Sequence, residues 1–302
     1  MRAIHEQRLH YFVEAVRLGS VRAAADALDI APSAVSRQIA QVEAELGVDL
    51  IERHRRGVTP TEEGRLVLEY FRLRQTQLDG LLDAISDLQG LRTGTVTLAI
   101  GEGFIDDLSL TLGDFSARHP EIELRVNVVG TNEVIREVTE DEAHIGLVFN
   151  PPKHPSLRTH VSRPQPLYAL VAPDHPLSQT PDTQITLQAL SEHRLALPDI
   201  SYGIRQMVEA VVHRSGVRLQ PTLTCNTFTV SKRYAQQGGV TLLPAFAAAH
   251  EIQSGTLKAI PLADKGFAGP HAELITRLGR RLSRAADELL TNMTQRMTAF
   301  RG

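Results

Sequence analysis

A chain of 302 residues, 42% apolar and 22% charged, is long enough to bury two cores and too apolar to be disordered. Its one cysteine, Cys225, excludes an internal disulfide, and no apolar run approaches the roughly 18 residues of a membrane span. Set against 35 acidic residues, 32 basic ones give a net charge of −3, which selects no partner class. The absence of a signal-peptide pattern predicts a cytoplasmic location. Residues 1–60 hold eight arginines, eight acids and no lysine, and the first lysine is Lys153. Arginine reaches phosphate and guanine with a two-pronged fork that lysine lacks.

Residues 5–58 read as short helices with tight turns. Leu9, Phe12, Val13 and Val16 recur at helical spacing and make one face apolar. Gly19 stops that helix, and Ser20 caps a second over 21–28, where Ala23, Ala24, Ala25 and Ala27 permit close packing. Pro32 opens a third helix at the position where a missing N–H costs nothing. Val35, Ile39, Val42 and Leu46 line its inner face, and Gly47 ends it. This is the helix-turn-helix layout. Pro32, Ser33, Ser36 and Arg37 lie at or near the outer N-terminal end that such helices present to base edges. Residues 50–58 then read as strand, basic tip and strand: a wing whose Arg53, Arg55 and Arg56 face DNA phosphates or the minor groove. Arg37 alone, or the arginine run alone, reads equally as solvated surface. Their conjunction points to double-stranded DNA.

The motifs Leu9-His10-Tyr11-Phe12, Gly19-Ser20, Ala24-Ala25, Ala34-Val35-Ser36-Arg37-Gln38-Ile39, Glu45-Leu46-Gly47 and Leu50-Ile51-Glu52-Arg53 stand in order and at fixed spacing. Thr61, Gly64, Phe115, Arg118-His119-Pro120, Gly239-Val240 and Leu243-Pro244 continue the pattern. Together they closely resemble the LysR-type transcriptional regulators over nearly the whole chain. One departure matters: relatives often carry Ser, Gln and Pro where this chain has Ala31, Pro32 and Ser33. The usual glutamine base contact is then missing, so operator preference does not transfer.

In the long helical pattern that follows, Thr59 to Glu62 fits a capping box with Pro60 at the first helical position, and Thr61 is an alternative cap. Val67, Phe71, Arg74, Leu78, Leu81, Ile85 and Leu88 alternate in steps of four and three, as in a coiled-coil seam, with Arg74 as its polar member. The other reading is a helix packed on its own domain. The resemblance implies a homodimer seam, and commonly a dimer of dimers.

After a break at 90–94, strand-like and helix-like segments alternate, which predicts an α/β domain with mostly parallel strands. Helices are expected over 107–118, 132–139, 204–214, 228–237 and 284–300, and strands over 96–100, 122–129, 145–149, 168–171, 240–243, 257–260 and 273–276. The fold class expected is α + α/β. A winged helix-turn-helix domain at 1–60 and a linker helix at 61–90 precede an effector-binding domain at 95–300. The resemblance gives that domain a two-lobed, periplasmic-binding-protein-like shape. Lobe I would comprise 95–165 and 267–300, and lobe II 166–266, with crossings near 164–167 and 261–267.

Ligands in open α/β sheets bind beyond strand carboxyl ends, where helix N-termini offer free N–H groups. Here those places are Gly101, Glu102, Gly103, Thr131, Asn150, Ser201, Tyr202, Thr227 and Phe228, the expected site of a small-molecule effector. Relatives commonly place serine or threonine after the first strand to bind a carboxylate. Glu102 in that region either disfavours a carboxylate effector or simply complements a helix dipole. Tyr202 and Phe228 either stack on a flat ligand or pack in the core. The 12 histidines show no metal-ligand spacing, and no cofactor loop or nucleophile elbow occurs. Gly101-Glu102-Gly103 lacks the third glycine of a dinucleotide loop. The rival classes are an α/β enzyme with a helical arm and a solute-binding protein; binding to DNA separates both from a regulator.

Overall fold

The computed structural model describes residues 5–55, 57–88, 94–179 and 184–301. Arg56, the side chain of Leu88 and most of the expected break at 90–94 lie outside that description. The chain divides into two compact units, Met1–Asp79 and Gly80–Gly302.

In the first unit, helices α1 (Glu6–Arg17), α2 (Val21–Ala27) and α3 (Pro32–Leu46) precede a hairpin, β1 (Ile51–His54) and β2 (Gly57–Pro60). The long helix α4 (Glu62–Leu88) begins here. Leu9, Phe12, Ala24, Ala25, Val35, Ile39 and Val42 are fully buried together. The two alanines leave α2 no side-chain bulk, so its backbone approaches its neighbours closely. Ser20 caps α2 by accepting from the Ala23 N–H at 3.3 Å. Gly47 ends α3 in the left-handed region at φ 75°. The hairpin pairs Ile51 with Pro60 and His54 with Gly57. Thr59 and Pro60 are therefore strand residues, which corrects the expected cap. The cap of α4 is Thr61: its Oγ1 accepts from the Gly64 N–H at 2.9 Å and donates to the Asp49 carbonyl at 2.7 Å. A Cβ on Gly64 would stand 2.1 Å from the Leu50 carbonyl oxygen, so only glycine lets α4 start this close to the wing.

The expected seam on α4 needs correction too. Phe71 is buried and Val67 half-buried in the core of the first unit, because the helix-turn-helix alone cannot cover its apolar face. Among the described side chains, the large apolar residues of α4 left exposed are Leu66, Tyr70, Leu73, Leu78, Leu81, Leu82 and Ile85. Arg74 is also exposed, with its guanidinium 5.9 Å from the Tyr70 ring centre.

The second unit has two lobes. Lobe I holds β3 (Gly94–Ile100), α5 (Ile105–Arg118), β4 (Ile122–Val128), α6 (Thr131–Thr139), β5 (Ile145–Phe149) and β6 (Leu157–Pro164). Lobe II holds β7 (Leu167–Val171), α7 (Leu187–Ser191), β8 (Leu195–Pro198), α8 (Gly203–Ser215), β9 (Leu223–Cys225), α9 (Phe228–Gln236), β10 (Val240–Pro244), α10 (Ala249–Gln253) and β11 (Lys258–Pro261). The chain then returns to lobe I with β12 (His271–Arg277) and α11 (Arg284–Arg296). Among the described residues the sheet orders are β4-β3-β5-β12-β6 and β11-β7-β10-β8-β9. In lobe I, β3 runs parallel to β4 and β5, and β12 is antiparallel to β5 and β6. In lobe II, β8 runs parallel to β9 and β10, with β7 and β11 antiparallel. Every residue of β5, β8 and β10 is buried, as strands covered on both faces require. The crossings fall between β6 and β7 and between β11 and β12.

The last helix stops short of the expected 284–300. Asp107 accepts from the N–H groups of Thr298 and Ala299, both at 2.9 Å, and Met297 is extended. The chain leaves α11 at Arg296 to reach that carboxylate.

His144 splices β3 to the start of β5. Its N–H donates to the Thr97 carbonyl at 2.8 Å, and its Nδ1 accepts from the Thr97 N–H at 2.9 Å. Burial, reinforced by the Arg280 charge, pushes this imidazole down to about 4 from an ordinary 6.5. The folded state thus holds the neutral ring, whereas the unfolded chain takes up a proton below 6.5. This contribution is present in full above pH 6.5 and is lost as pH falls towards 4. Burial pushes His160 and His175 in the same direction. Unfolding of the second unit is expected to lose about 2–3 kcal/mol across that window through His144. His144→Asn, which keeps an acceptor that does not titrate there, should flatten the pH profile in denaturant titrations. An unchanged profile contradicts the assignment.

Candidate functional site

Helix α3 presents Pro32, Ser33 and Arg37 exposed at its N-terminal turns, with Ser36 half-buried beside them. Ser33 and Arg37 are four residues apart and share a face. Arg53 and Arg55 in the wing are exposed as well. None of these three arginines has an ion-pair partner among the described residues. Some acids of the unit are engaged elsewhere: Glu14 pairs with Arg17 and Glu45 with Arg8. Glu43 accepts from the N–H groups of Leu50 and Ile51 at 2.9 and 3.3 Å, tying the end of α3 to the wing. A unit with balanced charge therefore still offers free guanidinium groups. Arg22 on α2 is also exposed and without an ion pair among the described residues, and the motif reading missed it.

Six of the nine residues expected at the effector site, Gly101, Glu102, Gly103, Thr131, Tyr202 and Phe228, line one small cavity between the lobes. Phe104, Phe149, Gly203, Ile204, Pro244 and Phe246 complete its lining. Ser201, Thr227 and Asn150 are not among the lining residues. Asn150 takes a left-handed backbone, φ 48°. The same strand-end logic, applied to β10, would have found Pro244 and Phe246.

The cavity volume is about 20 Å³, room for about one water. Small-molecule sites are typically ~300–1,000 Å³. The chain's own side chains fill the cleft. Phe246, from the turn after β10 in lobe II, stands 5.0 Å from the Phe104 ring and 6.4 Å from the Phe149 ring, both in lobe I. Tyr202 packs on Phe228 at 5.5 Å and donates its hydroxyl to the Asn226 carbonyl at 2.8 Å. Burial, with the charges of Glu102 and Asp199 nearby, pushes this phenol up and keeps its proton in place.

Polar contacts across the cleft centre on helix N-termini. The Gly203 N–H, at the head of α8, donates to Thr131 Oγ1 at 3.0 Å. A Cβ on Gly203 would stand 2.2 Å from the Phe149 carbonyl oxygen, so glycine is needed where the lobes touch. At the head of α9, Glu102 Oε1 accepts from Thr227 Oγ1 at 2.6 Å and from the Thr229 N–H at 3.3 Å. Its Oε2 accepts from the Phe228 N–H at 2.5 Å. Of the two readings of Glu102, this geometry is that of a helix-end complement, supplied from the opposite lobe. Cys225 is half-buried, with its thiol 3.1 Å from Ser231 Oγ.

A winged helix-turn-helix followed by a two-lobed α/β unit defines a ligand-responsive DNA-binding regulator. Residues 7–65 match the bacterial regulatory helix-turn-helix protein, lysR family, and residues 89–298 match the LysR substrate binding domain. The chain belongs to the LysR family of transcriptional regulators, which are DNA-binding proteins and not enzymes. The RuBisCO operon transcriptional regulator of Allochromatium vinosum is 26% identical over 93% of this chain and 92% of its own length. Full-length OxyR C199D from Pseudomonas aeruginosa shares the fold with a TM-score of 0.68 at 18% identity, covering 98% of this chain and 96% of that one. Full-length CbnR complexed with its target DNA aligns with a TM-score of 0.52 at 21% identity, covering 97% and 99%. Among the described residues no helix is long and apolar enough to cross a membrane.

Phe246 plugs the gap between Phe104 and Phe149, so its truncation tests how the cleft stays shut. Phe246→Ala is expected to cost the second unit about 3–5 kcal/mol in denaturant titration of the full chain. A cost below about 1 kcal/mol would mean that the plug contributes little to closure.

Proposed function

We propose that this regulator reads its operator with the head of α3 and clamps the flanking backbone with the wing. The observation that carries this is the free guanidinium of Arg37, one helical turn from Ser33 on an exposed face, while Glu43 and Glu45 of the same helix are engaged by the Leu50 amide and by Arg8. Pro32, Ser33, Ser36 and Arg37 contact or flank base edges, and Arg53 and Arg55 contact phosphates. Arg56 belongs to the same wing in sequence. The protein works in the cytoplasm as a homodimer on an inverted repeat, and pairs of dimers form the tetramer common among LysR-type proteins. The dimer seam uses the exposed apolar residues of α4, with Leu78, Leu81 and Ile85 at its centre. A small-molecule effector binds between the lobes, at the cavity lined by Glu102, Thr131, Tyr202 and Phe228. At 20 Å³ that cavity admits an effector only once the lobes part.

Arg37→Ala should weaken specific operator binding by about 1–3 kcal/mol while leaving binding to unrelated DNA nearly unchanged. Arg55→Ala should weaken binding to all sequences alike and reduce the salt slope by about one. Fluorescence anisotropy over a salt series reads both. Wild-type operator affinity in Arg37→Ala would put the recognition surface elsewhere.

Changing Leu81 and Ile85 together to glutamate should convert the dimer to monomer in sedimentation velocity, because the seam would bury unpaired charge. Both side chains are exposed in the single chain, so its fold should survive. An unchanged sedimentation coefficient removes this seam.

A further inference from the structure

We propose that Glu102 is a tethered ligand: its carboxylate fills an anion seat at the head of α9, holds the lobes together and keeps free carboxylates out of the cleft. This deepens the reading of the cleft as the effector site and rests on it.

The seat is recognisable because its own helix does not fill it. A threonine at a helix N-cap ordinarily accepts an N–H from two or three residues further on. Thr227 holds that position before α9 and makes no such bond. Its hydroxyl instead donates to Glu102, and the first two amides of the helix, Phe228 and Thr229, donate to the same carboxylate. One hydroxyl and two amides converging on two oxygens is the donor set that a free carboxylate would meet at a helix head. The acceptor present comes from the turn after β3, in the other lobe.

That turn has little freedom to present Glu102 differently. The Gly101 N–H donates to the Leu147 carbonyl at 2.9 Å. A Cβ on Gly103 would stand 3.1 Å from Ala247 Cβ and 3.3 Å from Phe228. The carboxylate is thus delivered by rigid backbone packed against the helix it caps. A tethered group acts at an effective concentration in the millimolar range or above, which free metabolites rarely exceed. The space left beside it, about 20 Å³, is water-sized. A molecule recognised by its carboxylate finds this seat taken.

Deleting the tethered carboxylate should empty the seat, and a small carboxylate should refill it. The experiment uses full-length wild type, Glu102→Ala and Glu102→Gln, with sodium acetate titrated to tens of millimolar against sodium chloride at equal ionic strength. Glu102→Ala is expected to lower the melting temperature of the second unit by about 4–8 °C and to lose amide-exchange protection at Phe228 and Thr229. Acetate should restore both in Glu102→Ala while leaving wild type unmoved. Glu102→Gln keeps the side-chain bulk in the seat; it should fall between the two and ignore acetate, and it serves as the comparison if Glu102→Ala folds poorly. Unchanged melting and protection in both variants overturns the proposal, as does an equal acetate response in wild type and Glu102→Ala. Operator binding by wild type in the same preparations separates the readings. A protein that binds operator but shows no acetate rescue loses the tethered ligand alone. One that binds no operator loses the regulatory reading itself.

Discussion

The Glu102 carboxylate is the charge on which the closed cleft turns. Two helices of lobe II, α8 and α9, start at the cleft, and neither is capped by its own N-cap side chain. A helix start leaves several N–H groups without intrahelical partners and carries about half a positive charge. Two such ends facing a closely packed aromatic interface would be costly to leave unmatched. Lobe I supplies both partners: the Thr131 hydroxyl for α8 and the Glu102 carboxylate for α9. Both caps are therefore supplied across the cleft by lobe I, and the lobes cannot part without exposing helix ends to water or to another acceptor.

Much of this was legible in the sequence, and the gaps have physical reasons. The helix-turn-helix was readable because Val35, Ile39 and Val42 keep helical period and Pro32 and Gly47 punctuate it. Strands β8 and β9, only four and three residues long, gave no usable periodicity, and neither did the five-residue α7. Strand β6 alternates poorly, with only Val161 buried in its middle. The seam failed in its first turns because period alone cannot say which partner an apolar face meets; Phe71 meets its own domain. At the site, strand-end reasoning named Glu102, Thr131, Thr227 and Phe228, but not that the first and third bond to each other. A cross-lobe hydrogen bond joins residues 125 apart, beyond the reach of any local pattern.

The same logic explains how a charge-balanced head serves a polyanion. Phosphate contacts depend on which guanidinium groups are free, not on the sum over the domain. Glu43 is consumed by the wing amides and Glu45 by Arg8, so two acids on α3 stabilise the fold and stop opposing the ligand. Relocating these carboxylates inward has the effect that adding lysines would have in a more basic domain. The guanidinium groups left exposed carry a forked geometry that discriminates better than a point charge.

An effector that works by opening the proposed cleft must meet an energetic condition. A ligand moves an equilibrium only by its difference in affinity for the two arrangements. Inverting a 99:1 preference takes about 5.5 kcal/mol of such difference. Each hydrogen bond to a charged group contributes about 1.5–3 kcal/mol, so the three donors on Glu102 are a large part of any such preference. The aromatic contact, where Phe246 sits between Phe104 and Phe149, adds to it. Aromatic pairs add about 0.5–1.5 kcal/mol each beyond the area they bury. Opening this cleft therefore exposes two unlike surfaces at once: the α9 head, which loses the Glu102 carboxylate, and the apolar surface that Phe246 vacates. Water can answer the first, so what separates one ligand from another is how much of the second it covers.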